Sequence, residues 1–388
     1  MAYLFVALFV TSAHALTTLP LHRRFLTGQS LVPPRGESAV PFPFYNFLNA
    51  EYVLNITVGT PASTFRVALS TALGNSWLPT PACNDYVTSP ACIAQNKYNS
   101  AADTSYKPCE GLCTVIMPQT DNNATLIGSL GNTTVTIGGL TASTASLALI
   151  SLEPLPRLTG AAFDGIIGLG AQNGSTVPLL APPVPLLNVL LEEGAFTVPK
   201  FSFFFNRGDA PGAVGHSAMM IGGDDFPTYS VGPSVELAPY PIWSAVLGLW
   251  AVTMDYVFVN AFLTTACDHC IAVLDSASPY ISAPPSTMQK VTSLVGPIAQ
   301  DCSNVGSLPN VTLQLGGIGF LLTPADYVLH LPLNDFNQTL VCSSAFQEFD
   351  ASGGILPLWI LGTSFLRAAY TSYDMVSKNV TLAAAKTM

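Results

Sequence analysis

A short pattern occurs twice in this chain, and it constrains the fold more than any other feature. Val67-Ala-Leu-Ser-Thr-Ala72 in the first half is echoed by Ala272-Val-Leu-Asp-Ser-Ala277 in the second. Each copy is an apolar strand running into a turn of small residues. A second strand follows and closes on proline, Ser76-Trp-Leu-Pro79 in one half and Tyr280-Ile-Ser-Ala-Pro284 in the other. Further on, each half carries an apolar-apolar-Gly element, Ile166-Ile-Gly168 and Ile360-Leu-Gly362. Matched elements in matched order imply a duplicated β-rich lobe. The 30 glycines and 31 prolines are scattered through the chain, which favours short strands and turns over long helices.

Charge excludes several classes of function. Only 9 % of residues are charged, against about 25 % in an ordinary domain. A coiled coil, a polyelectrolyte tail and a disordered chain all need more charge than this. The net charge is −10, and phosphate contacts need clustered Lys and Arg, so no nucleic-acid partner is expected. A mean hydropathy of +0.44 raises the membrane question. Met1–Ala15 has a short apolar run followed by Ala13-His14-Ala15, a small-x-small cleavage signal, and reads as a signal peptide too short to span a bilayer. Residues 245–263 are apolar but interrupted by Gly248, Asp255 and Asn260, and read as buried strands. No membrane span is expected.

An oxidising compartment suits the 8 cysteines. Four fall in the first half (Cys83, Cys92, Cys109, Cys113) and four in the second (Cys267, Cys270, Cys302, Cys342). Among the connectivities that stay within halves, joining sequence neighbours gives 83–92, 109–113, 267–270 and 302–342. Cys267-Asp-His-Cys270 lacks the second Cys-x-x-Cys of a zinc site, so no metal and no cofactor is expected. Asn-x-Ser/Thr sequons stand at Asn55, Asn123, Asn132, Asn173, Asn310, Asn337 and Asn379, as in a secreted glycoprotein.

Several motifs in order resemble the pepsin-like aspartic peptidases. Glu51-Tyr-Val-Leu-Asn-Ile-Thr-Val-Gly-Thr-Pro61 is similar to that family's first strand and Gly-Thr-Pro turn. Asn75-Ser-Trp-Leu-Pro79 is similar to the Asn-Leu-Trp-Val-Pro after the first catalytic motif, and Phe163-Asp-Gly-Ile-Ile-Gly-Leu169 to Phe-Asp-Gly-Ile-Leu-Gly-Leu. Met220-Ile-Gly-Gly223, Trp359-Ile-Leu-Gly362 and Tyr370-Thr-Ser-Tyr-Asp374 match later segments. The pairs 267–270 and 302–342 fall where the family has its second-lobe disulfides. The resemblance covers about Tyr52 to Ala385. It implies an all-β, bilobal fold of two pseudo-symmetric lobes with a peptide-binding cleft between them. The expected organisation is a signal peptide (1–15), a prosegment-like region (16–49), an N-terminal lobe (50–223) and a C-terminal lobe (224–388).

The family hydrolyses peptides with two carboxylates about 3 Å apart that share one proton. Each comes from an Asp-Thr/Ser-Gly turn. Here the second turn is Asp275-Ser276-Ala277 and the first is Ser70-Thr71-Ala72. Asp275 is the retained carboxylate, and Ser70 replaces the first. A serine hydroxyl carries no charge at acid pH, so half of the dyad is missing. Both family glycines are alanines, Ala72 and Ala277, whose methyls are expected to crowd the backbone amides away from the carboxyl oxygens. Leu73 stands where the family has a hydroxyl, and Ser278 keeps the second-lobe counterpart. The flap alignment puts Asp121 at the family's tyrosine.

Ser70 as a serine nucleophile would need a histidine base. Of the five histidines, His14 and His22 precede the body, and His216, His269 and His330 fall outside segments that line the family's cleft. The leading expectation is a secreted pseudopeptidase that keeps a cleft for a peptide or protein ligand. The alternatives are an active or weakly active aspartic endopeptidase and a structural or storage glycoprotein. An acidic endomembrane compartment such as the lysosome is the alternative to secretion.

Overall fold

The computed structural model describes residues 40–47, 51–85, 88–89, 91–110, 113–118, 125–154, 161–171, 184–207, 214–241, 244, 248–264, 267–334, 337–349 and 358–387. Val, Ile, Phe and small residues alternate with polar ones over most of these stretches, and they form strands. Glu51–Val58 buries Val53, Leu54, Ile56 and Val58 while Asn55 faces solvent.

The repeat folds into the same three-stranded unit twice. In the first half, Ser63–Ser70 runs parallel to Gly165–Gly168, with Val67 opposite Gly165 and Ser70 opposite Gly168. Trp77–Pro79 pairs with the same strand from its other side, antiparallel, through Trp77 and Ile166. In the second half, Cys270–Leu274 runs parallel to Leu358–Leu361, and Ile281–Ala283 pairs antiparallel with that strand on its far side. Each apolar-apolar-Gly element is therefore the middle strand between the two strands that flank a small-residue turn. Its glycine is required by close approach. A Cβ on Gly168 would lie 2.6 Å from the Gly74 carbonyl carbon, and one on Gly362 would lie 2.2 Å from the Ser278 carbonyl oxygen.

The two units share surroundings. One 14-stranded sheet runs from Ser230–Leu237 through Val380–Ala385, Ala369–Asp374, Lys200–Phe204, Val214–Ile221 and Val40–Phe47 to Glu51–Val58 and the first-half strands. Strands from the middle and the end of the chain thus lie beside strands from its start. Val40–Phe47, inside the stretch expected to be prosegment-like, pairs with Val214–Ile221 on one side and with Glu51–Val58 on the other. Sheets of five, four and two strands complete the second half. All the described residues fall in one compact unit. This is the all-β, two-lobed architecture that the repeat implies.

Aromatic residues fill the seam between the halves. Phe201 stacks on Tyr373 at 4.8 Å and meets Trp250 edge-on at 5.6 Å. Trp250 Nε1 donates to the Leu169 carbonyl at 2.8 Å, fastening a second-half loop to the first-half unit. Trp77, in the strand that closes the first unit, is 2 % exposed and anchors the core there. Of residues 245–263, read as buried strands, the described ones form the largely buried Ala251–Met254 and Tyr256–Val259, but the pair Phe262–Leu263 is exposed, contrary to that reading. Among the described residues no helix is long and apolar enough to cross a membrane.

The four expected disulfides are present: 83–92, 109–113, 267–270 and 302–342. The last spans 40 residues, and loop-closure entropy assigns it about 4 kcal/mol.

Candidate active site

Where the two small-residue turns meet, backbone and hydroxyl groups form a closed ring of hydrogen bonds. Thr71 N–H donates to Ser276 Oγ at 3.1 Å, and Ser276 N–H donates to Thr71 Oγ1 at 3.1 Å. Each hydroxyl then passes its own proton across the pseudo-dyad, Thr71 Oγ1 to the Leu274 carbonyl at 2.6 Å and Ser276 Oγ to the Leu69 carbonyl at 2.5 Å. Thr71 is 0 % and Ser276 2 % exposed. Four bonds in this dry position hold the turns face to face, each with both partners satisfied.

The ring places Ser70 beside Asp275. Ser70 Oγ donates to Asp275 Oδ1 at 3.0 Å. The Asp275 N–H donates to the Leu361 carbonyl and the Leu169 N–H to the Ser70 carbonyl, so the middle strand of each unit fixes its own turn. Ser70 is buried, whereas Asp275, Ala72, Leu73, Ala277 and Ser278 are partly open. Ser278 Oγ accepts from the Tyr280 N–H at 3.2 Å. Beneath this floor lies Tyr373, fully buried; burial pushes its phenol far above the ordinary value and keeps it neutral.

The expectation that Ala72 and Ala277 crowd out the amide donors is not met. Ala277 N–H donates to Asp275 Oδ1 at 3.0 Å and Ala72 N–H to Ser70 Oγ at 3.2 Å. The methyls find room in apolar clusters instead. Ala72 packs against the group of Ala251, Ile271, Val273 and Leu358. Ala277 packs against the group that includes Val53, Ala68 and Trp77. Each methyl thus adds a cross-contact between the halves, and the amide direction is set by the ring of hydroxyls.

The result is a polarised chain, with Ala72 N–H donating to Ser70 Oγ and Ser70 O–H donating to Asp275 Oδ1. A two-carboxylate peptidase holds one mobile proton between its oxygens. Here the donor is an alcohol whose proton stays on oxygen throughout the pH range of protein chemistry. The arrangement keeps the geometry of a half-protonated dyad and offers one titrating group in place of two.

Other predicted residues are placed as follows. The flap position Asp121 and the sequons Asn123 and Asn173 lie outside the described residues. The strands Thr114–Pro118 and Thr125–Ile137, which flank Asp121, pair antiparallel. His269 and His330 are exposed, and His269 Nδ1 is 2.6 Å from Asp268 Oδ1. Sequence reasoning missed Asp103. Its carboxylate accepts from Thr60 N–H (2.7 Å), Tyr98 O–H (2.5 Å), Ser105 N–H (2.8 Å), Ser105 Oγ (2.6 Å) and Thr133 Oγ1 (2.5 Å). Burial pushes its pKa up, but these hydrogen bonds outweigh burial and carry it well below the ordinary 3.8. Asp103 fastens the Gly59–Pro61 turn to the sheet. Ser105 and Tyr98 lie near Asp103 in the chain, but Thr60 and Thr133 are 43 and 30 residues away, and no local pattern signals those two.

Comparison with known proteins agrees with this geometry. The family model of eukaryotic aspartyl protease matches residues 51–385. Mouse napsin-A is 32 % identical over 345 residues, covering 87 % of this chain and 77 % of napsin-A. Bovine pepsin A is 27 % identical over 348 residues, covering 88 % of this chain and 86 % of that protein. Bullfrog (Aquarana catesbeiana) cathepsin E is 29 % identical over 344 residues, covering 87 % and 80 %. With the duplicated unit, the paired turns and a match over most of its length, this chain belongs to the pepsin-like aspartic protease family.

Proposed function

We propose that this chain is a secreted pseudopeptidase, which holds a peptide or protein ligand in the cleft between its lobes, 50–223 and 224–388, without hydrolysing it. One observation carries the reading: Ser70 Oγ donates to Asp275 at 3.0 Å where a peptidase needs a second carboxyl. A dyad acts as a unit, and loss of one general acid–base group typically costs about 10²–10⁴ in rate. The intact ring of Thr71 and Ser276 supports retention of the cleft's shape, and hence of ligand binding.

The test pairs binding with cleavage. The purified chain is passed over an immobilised transition-state analogue of the pepstatin type at acid pH, then incubated with a denatured protein substrate. Retention without cleavage is the expected result. Cleavage blocked by the free analogue would overturn the reading in favour of an active endopeptidase. Absence of both retention and cleavage would overturn it in favour of a structural or storage glycoprotein.

A further inference from the structure

The sequons remain without a role in this reading, and the structure sorts them. Asn55 is exposed on Glu51–Val58, opposite Arg66. Asn132 is exposed on Thr125–Ile137, and its Oδ1 accepts from Ser146 Oγ at 3.0 Å. Oxygen and nitrogen of an amide point apart, so that bond turns the Asn132 nitrogen away from Ser146. Asn310 is exposed before Val311–Leu315. Its loop is held by backbone groups, N–H to Asn260 Oδ1 at 3.2 Å and C=O from Asn260 N–H at 2.7 Å, leaving the Asn310 side chain out of the bonding. Asn379 differs. It is partly buried, and its Nδ2, the atom a sugar would join, donates to Glu236 Oε1 at 2.5 Å on the neighbouring strand. Asn123, Asn173 and the side chain of Asn337 lie outside what is described.

A second observation concerns hydration. An ordinary designed surface is about 25–35 % charged, but this whole chain is 9 % charged. Around Asn132 many outward residues carry hydroxyls, Thr134, Thr136, Thr141, Ser143, Thr144 and Ser146, with the Glu193 carboxylate accepting from Ser143 and Thr144. Some of these are turned on one another, as in the Thr136–Thr141 pair at 2.9 Å. Such a face carries many hydroxyls and little charge.

We propose that Asn55, Asn132 and Asn310 carry N-linked carbohydrate, that Asn379 stays bare, and that the sugars supply the hydration that charged side chains supply elsewhere. The proposal rests on the secretory route in the function proposed above. Transfer replaces one N–H of the asparagine amide by an N–C1 bond to the sugar. The donor is a lipid-diphosphate oligosaccharide, which leaves as the lipid diphosphate with the displaced proton. The folded surface must then accommodate the sugar, and it does so where the amide nitrogen faces solvent.

The full chain is produced in a eukaryotic secretory host. Its glycans are removed enzymatically in heavy-oxygen water, which marks each formerly glycosylated asparagine as a labelled aspartate for peptide mass analysis. Label at 55, 132 and 310 and none at 379 is expected. Label at 379, or its absence at the other three in secreted protein, overturns the assignment. A chain that stays in the cell unglycosylated overturns the secretory reading itself. For hydration, light scattering compares folded wild type before and after glycan removal, alongside the triple variant Asn55→Gln, Asn132→Gln, Asn310→Gln. Several-fold lower solubility after removal is expected, whether or not the triple variant folds. Unchanged solubility overturns the hydration role.

Discussion

Replacing Ser70 by aspartate tests the site directly. A carboxyl oxygen grown from position 70 reaches at least as far as Ser70 Oγ, which already lies 3.0 Å from Asp275 Oδ1. Two full charges at that distance repel by about 5–6 kcal/mol at an effective dielectric of about 20. One proton shared between them removes the repulsion, so the pair should hold a proton about four pKa units longer than an isolated carboxyl. The direction of the pH dependence follows. Below the unfolded value of about 3.9 both states are protonated and the variant suffers no charge penalty. As pH rises toward the raised folded value, the unfolded chain loses its second proton while the folded chain keeps it, and stability falls. The loss approaches about 5–6 kcal/mol once the pair is fully ionised. Urea unfolding of wild type, Ser70→Asp and the neutral control Ser70→Asn at pH about 4 and pH about 8 reads this. If Ser70→Asp loses no more stability over that range than Ser70→Asn, the two positions do not face each other as described. Activity is a separate matter. The amide donors stand ready, but Leu73 offers no hydroxyl and the aligned flap position is Asp121. Ser70→Asp alone should stay inactive toward a quenched peptide at acid pH, and Ser70→Asp with Leu73→Ser should be the first to show inhibitor-sensitive cleavage.

Three further outcomes are expected. Asp103→Ala should cost about 3 kcal/mol at neutral pH, because it strands several donors at once. Because Asp103 has a depressed pKa, its contribution is present above the ordinary 3.8 and fades as pH falls below it, so the gap to wild type should narrow in acid melts. Gly362→Ala would set a methyl 2.2 Å from the Ser278 carbonyl oxygen, and secretion yield or melting should report loss of the second-half unit. Incubating the purified chain alone at pH about 3.5 should leave its mass unchanged. Within 16–49, three arginines against one glutamate precede the sheet strand Val40–Phe47; that basic part should loosen from an acidic body as carboxylates protonate, but a pseudopeptidase does not cut it, and clean loss of 16–49 would refute the inactive reading.

The site's position was legible in the sequence because the duplication is. Ser70 and Asp275 occupy equal places in two copies of one unit, and the glycines at 168 and 362 mark the strand that each unit wraps. What the sequence could not show was direction. Ala72 and Ala277 read as obstacles because a methyl near a carboxyl suggests crowding, whereas in the fold those residues pack against apolar clusters, the one holding Leu358 and the one holding Trp77. The reciprocal bonds of Thr71 and Ser276 depend on bringing together residues from opposite halves, which no local pattern encodes. Asp103 was invisible for the same reason. Its donors come from a turn, a loop and a distant strand, and only the folded sheet collects them.

The pairing of Lys200–Phe204 with Ala369–Asp374 has a consequence for how the protein is made. A ribosome adds about 5–20 residues per second, so Phe201 and Phe203 emerge on the order of ten seconds before the strand that covers them. Leu358–Leu361, the middle strand of the Asp275 unit, likewise emerges long after Cys270–Leu274, the strand it pairs with. Neither the seam nor the second turn can close until these late strands have emerged. A premature stop before Ala369 therefore yields an open sheet with its aromatic face in water, a substrate for chaperones and degradation rather than a slightly shorter protein.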